Sequence, residues 1–196
     1  MAPAAHNQRW ATLALLLLAL LATGLSANPQ WLPRFAFHPA TALSHPWWQW
    51  LSGHLLHITP LHLLANLLAL LLLALWAWQR QRLATVAPVL LVSALAVDCG
   101  LVALGPHLDW YAGLSGALHG VFAWLALQPP GGSGRWPAVP ALWLLGVLKL
   151  LFDQNAGLPW SGLQPVPQAH VYGFVGGTLA ALPLYWRGWR SPSSSS

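Results

Sequence analysis

The sequence predicts an all-α membrane protein, a bundle of six transmembrane helices with both termini on the inner side. Three observations carry this. The 196 residues are 57% hydrophobic and only 6% charged, where a soluble domain is about a quarter charged. Six apolar stretches approach the roughly 20 residues that a spanning helix needs. The basic residues lie one or two at a time between those stretches, as topology signals do. The net charge of +5 therefore does not imply nucleic acid; the expected surroundings are a lipid bilayer.

The candidate spans are Trp10–Ala27, Pro60–Trp78, Leu83–Gly105, Gly113–Gln128, Ala138–Asn155 and Ala169–Trp186. Leu25-Ser26-Ala27 resembles a signal-peptide cleavage site. Arg9 alone makes a weak basic region before it, however, and an uncleaved span completes the six. The fourth and fifth stretches are short, which predicts tilt or locally thinned bilayer. Residues 28–59 are rich in proline and aromatics, among them Trp31, Phe35, Phe37, Trp47, Trp48 and Trp50. They read as a loop in the membrane interface with its rings at headgroup depth, or as an aromatic belt and no more. Thr59-Pro60 predicts an N-cap followed by proline at the first helical position. Residues 129–137 read as a flexible inner turn. Residues 1–190 read as one domain without internal repeats, and 191–196 as a disordered tail.

Orientation follows from the arginines. With the N-terminus inside, Arg9, Arg80, Arg82, Arg135, Arg187 and Arg190 fall inside, and only Arg34 falls outside. Ser115 then sits at the outer end of the fourth span, His62 and Asn66 in the outer half of the second, and His170 at the outer end of the sixth. A hydroxyl, an imidazole and further hydrogen-bond donors at one depth are the parts of a serine hydrolase. Ser115 and His170 lie on different helices, so they meet only if the backbones approach closely. Gly116 and Gly120 on one helix, and Ala169, Gly173 and Gly177 on the other, form small-residue stripes that permit this. His62 and Asn66, four apart on one face, are candidate oxyanion donors, or a polar pair that joins helices. His119, one turn from Ser115, is an alternative base, a supporting partner of His170, or a packing residue. The supporting role is favoured, because a base on the serine's own helix makes His170 redundant.

The remaining polar residues are few. There is no Glu, and the acids are Asp98, Asp109 and Asp153. Lys149 lies four residues from Asp153 within the fifth span, and Asp98 lies in the third; the simplest reading is a structural ion pair, against a proton relay in a transporter. Cys99, the one cysteine, reads as core. His54, His57 and His62 are close in sequence, but carboxylate and thiolate ligands are nearly lacking, so no metal is expected. A haem between His62, His119 and His170 stays open on spacing alone.

Leu56-His57-Ile58-Thr59-Pro60-Leu61-His62-Leu63-Leu64-Ala65-Asn66 resembles the second-helix signature of rhomboid intramembrane proteases. Gly113-Leu114-Ser115-Gly116 resembles their nucleophile motif, and Ala169-His170 with Gly173 and Gly177 their sixth-helix motif. The resemblance implies a rhomboid-like bundle and a Ser115–His170 dyad without a third acid. It also implies an oxyanion hole from His62, Asn66 and the Ser115 amide, and no cofactor. Leu118-His119-Gly120, together with Lys149 and Asp153-Gln154, resembles the rhombosortase branch. That implies a Gram-negative inner-membrane enzyme with its site facing the periplasm. Its substrates would be single-span proteins with a Gly-rich C-terminal sorting tail. Two residues depart from the pattern: Gln49 follows Trp48 where rhomboids often have Arg, and Asp153 stands where Glu is expected. A rhomboid-like protein that binds clients without cleaving them is the runner-up.

Overall fold

The computed structural model describes residues 3–44, 46–105, 108–128, 138–155 and 166–189. Among them no strand forms, and the one β-contact is an isolated bridge between Phe37 and Tyr111. The long helices are α1 (Pro3–Ser26), α4 (Pro60–Gln79), α5 (Val86–Leu104), α6 (Ser115–Ala126), α7 (Ala138–Asn155) and α8 (Pro167–Trp189), with two short ones, α2 (Leu32–Phe35) and α3 (Gln49–Leu55). Among the described residues three segments are long and apolar enough to cross a membrane: Asn7–Ser26, Pro60–Gln79 and Leu83–Leu104. A shorter apolar run, Ala141–Phe152, lies within α7. The expected turn at 129–137 and tail at 191–196 lie outside the described residues.

The helix ends differ from the apolar stretches where local chemistry intervenes. Thr59 caps α4 through its side chain, which accepts the His62 amide at 3.1 Å, with Pro60 in the first turn. The fourth stretch becomes helical only at Ser115, because Gly113 has φ +133°, outside any helix. α8 starts two residues before the expected Ala169, at Pro167, whose missing N–H costs nothing in a first turn.

α6 is the centre of the molecule. Nine of its twelve residues are buried, from Gly116 and Ala117 through Trp124 and Ala126. α8 and α5 flank it, and its apolar side chains join those of α1, α4 and α5 in one core. The helices around it turn many leucines outward, such as Leu16, Leu72 and Leu148. That inversion, small residues inside and large apolar ones outside, suits a bundle solvated by lipid.

Residues 28–59 are not a plain loop. They form α2, α3 and two single 3₁₀ turns, and fold back onto the segment before Ser115. Gln49, where arginine was expected from the rhomboid pattern, is buried and donates its side-chain amide to the Arg34 carbonyl at 3.0 Å, tying α3 to α2. Ser52 adds a bond to the Phe35 carbonyl at 2.7 Å.

Candidate active site

The turn before Ser115 is clamped from two sides. Phe37 and Tyr111 exchange both backbone hydrogen bonds, at 3.0 and 2.7 Å, and the Gly113 amide donates to the Gly53 carbonyl at 3.0 Å. The Tyr111 hydroxyl, fully buried, donates to the Gly113 carbonyl at 2.8 Å. Its oxygen also lies within reach of the Ser115 side chain and the Gly116 amide. Burial, and next the Asp98 charge, push the Tyr111 phenol well above its ordinary range, so it stays a donor. Gly113 is needed twice over: its φ is unfavourable for any side chain, and a Cβ there would stand 2.8 Å from His62 Cε1.

Ser115 Oγ lies 3.0 Å from His170 Nε2. The glycine stripes make this contact possible. A Cβ on Gly173 would fall on the Gly116 carbonyl, and one on Gly177 on the Gly120 carbonyl. α6 and α8 therefore touch backbone to backbone, which brings a short serine within hydrogen-bond reach of a histidine on the facing helix.

His119 does not compete for the serine hydroxyl. Its ring stacks on that of His170, with centroids 4.2 Å apart and planes 16° from parallel. Its Nδ1 meets the Ser115 carbonyl at 2.7 Å, and its Nε2 meets Lys149 Nζ at 2.6 Å. Of the charges expected to pair within the membrane, two have partners among the described residues. Lys149 reaches across to α6, and Asp98 is held by His54 at 3.1 Å in a fully buried pair behind Tyr111. The Asp153 side chain lies outside the described residues. Cys99, expected in the core, is exposed on the surface of α5. A haem ligated by His119 does not fit this arrangement: its ring is stacked on His170 and both its nitrogens are engaged.

His62 and Asn66 lie on one face of α4, as their spacing requires. The His62 ring rests against Gly113, beside the serine. Asn66 is buried and donates to the His62 carbonyl at 2.9 Å, with a second amide hydrogen still to place. His57, in the segment leading into α4, packs edge-on against His62 at 4.8 Å. Its Nδ1 lies 3.1 Å from the Leu55 carbonyl and 3.3 Å from Ser26 Oγ. Burial, and next the His62 ring, lower its pKa to about 4, so it is neutral. Among the described residues no group of three His, Cys, Asp or Glu side chains converges on a point that could hold a metal ion.

A family model described as Rhomboid domain matches residues 44–187, most of the chain and all of the site. The chain belongs to the rhomboid family. No curated protein matches it. The rhomboid domain is that of intramembrane serine proteases, and its apolar helices make this rhomboid a multi-pass membrane protein. Within the rhomboid site, sequence reasoning missed Tyr111, the His54–Asp98 pair and the Lys149–His119 contact. Tyr111 carries no signal of its own in the sequence; its place is set by the bridge to Phe37. A lone lysine in an apolar run signals a partner; sequence proximity offers Asp153, whose side chain lies outside the described residues, and gives no hint of the contact with His119 on another helix.

Proposed function

We propose that this rhomboid is an active intramembrane serine endopeptidase of the rhombosortase type. In this reading it removes C-terminal transmembrane sorting tails from exported proteins at the periplasmic side of a Gram-negative inner membrane. The observation that carries the reading is the 3.0 Å approach of Ser115 Oγ to His170 Nε2 between glycine-lined helices. His170 takes the hydroxyl proton as Ser115 Oγ attacks the scissile carbonyl. The oxyanion is met by the Ser115 amide with His62 and Asn66 as side-chain donors. Collapse breaks the C–N bond, and His170 returns the proton to the leaving amine. Water then hydrolyses the acyl-enzyme through the same base and regenerates Ser115.

The branch assignment is supported by Leu118-His119-Gly120 and Lys149; Lys149 meets His119, whose ring stacks on that of the proposed base. A Gly-rich junction in the substrate fits the mechanism, since glycine weakens a helix by about 1 kcal/mol per residue relative to alanine and frees the bond to extend into the site. Two measurements test this. A fluorophosphonate should label the wild type and neither Ser115→Ala nor His170→Ala; equal labelling of Ser115→Ala overturns the nucleophile. An exported protein with such a tail should keep it in cells lacking the gene and lose it when the gene is restored. Tail removal by cells carrying only Ser115→Ala sinks the substrate class. Binding of the tail without cleavage by the wild type would favour a client-binding rhomboid.

A further inference from the structure

We propose that Lys149 and His119 form a positioning pair that keeps the proton of the reaction on His170. The proposal rests on the Ser115–His170 reading above. Lysine carries only donors, so at 2.6 Å from Lys149 Nζ the His119 Nε2 is the acceptor and bears no hydrogen. The hydrogen of the neutral ring is then on Nδ1, where it donates to the Ser115 carbonyl at 2.7 Å. Two bonds at opposite corners fix the ring plane, and the only lone pair that could take a proton is occupied by an ammonium. His170 lies flat on that plane.

The arrangement matters when His170 accepts the Ser115 proton. An imidazolium over a neutral aromatic face is stabilised, whereas two stacked imidazolium rings 4.2 Å apart repel. Without Lys149 the His119 ring can protonate as the pH falls, and the proton occupies the wrong ring. The other titratable groups on the surrounding elements are few. His62 of α4 is near enough for its charge to act on His170. On α5, Asp98 is tied to His54 and Cys99 faces outward. Tyr172 of α8 lies over Gly100 of α5, and Tyr111 is bonded to Gly113. Asp153 is one turn from Lys149 on α7.

The test is the rate of fluorophosphonate labelling against pH for the full chain in detergent. It compares wild type, Lys149→Met, Lys149→Arg, His119→Phe and the double variant His119→Phe/Lys149→Met. The ratio of wild type to Lys149→Met should grow by about tenfold as pH falls from about 8 to about 5.5. Lys149→Arg should restore the wild-type profile, and in the His119→Phe background loss of Lys149 should leave the profile unchanged. Lys149→Gln replaces Lys149→Met if the latter does not fold. A ratio that stays flat with pH overturns the proposal, as does an equal dependence on Lys149 in the His119→Phe background. Undiminished labelling of Ser115→Ala overturns the dyad itself, and this inference with it.

Discussion

At the scale of single residues, the hydroxyl of Tyr111 separates positioning from bulk packing. Tyr111→Phe keeps the ring against His54 and the backbone bridge to Phe37, and removes the hydroxyl with its bond to the Gly113 carbonyl and its approach to Ser115 and the Gly116 amide. That hydroxyl steadies the turn that leads into Ser115, whose amide belongs to the proposed oxyanion hole. Its loss should lower kcat about tenfold with KM within about twofold, the weight of one buried hydrogen bond; an unchanged kcat would show that the Gly53 clamp suffices. His57 makes a second residue-scale prediction, for stability. Its pKa is about 4 in the fold against 6.5 unperturbed, so between these values the unfolded chain binds more protons. The stability it contributes is complete above pH 6.5 and is lost as pH falls toward 4. Thermal unfolding in detergent should therefore lose midpoint steadily below pH 6.5 in wild type and less steeply in His57→Gln. Parallel slopes would remove His57 from the account.

At the scale of elements, the α6–α8 contact is the most demanding feature, because it is backbone on backbone. Gly173→Leu cannot be accommodated when even a Cβ meets the Gly116 carbonyl. Gly173→Ala should already part Ser115 from His170 and reduce fluorophosphonate labelling by about 10²-fold, with the helices still formed by circular dichroism. Full labelling of Gly173→Ala would mean the helices separate without cost to the site. These stripes were legible in the sequence, because small residues four apart have few other uses inside a membrane. So were the apolar stretches: the fifth lies where Ala138–Asn155 was expected, and the second ends one residue later, at Gln79. The helices of residues 28–59 were not legible. They are short, carry no sustained apolar period, and are held by long-range bonds such as Gly113 to Gly53 and Gln49 to Arg34. Tyr111 and Lys149 escaped for the same reason, since their partners are set by tertiary contact.

At the scale of the whole molecule, α6 bears on which way the bundle faces. Its twelve residues rise about 18 Å, well short of the roughly 30 Å hydrocarbon layer. A helix this short reaches one surface at most. Its C-terminal end is held by Arg80, which donates to the Leu125 and Gln128 carbonyls at 3.3 and 3.1 Å, with Arg82 over the Trp124 ring. A cation at the negative end of the helix dipole is favourable, and two arginines belong at a water interface. If that end lies at the inner surface, Ser115 sits about 12 Å below the outer one, deep enough to meet a membrane segment and shallow enough for water. The positive-inside rule favours this orientation, because Arg80 and Arg82 share the α4–α5 turn while Arg34 stands alone on the opposite side. Cysteines placed in a Cys99→Ala background read it directly. Ala40→Cys, exposed in the segment between α2 and α3, should react with a membrane-impermeant maleimide on intact cells whose outer membrane has been opened. Gln79→Cys, exposed at the last turn of α4, should react only after the inner membrane is permeabilised. The reverse pattern would turn the molecule over, place Ser115 near the cytoplasmic face, and with it exclude exported tails as substrates.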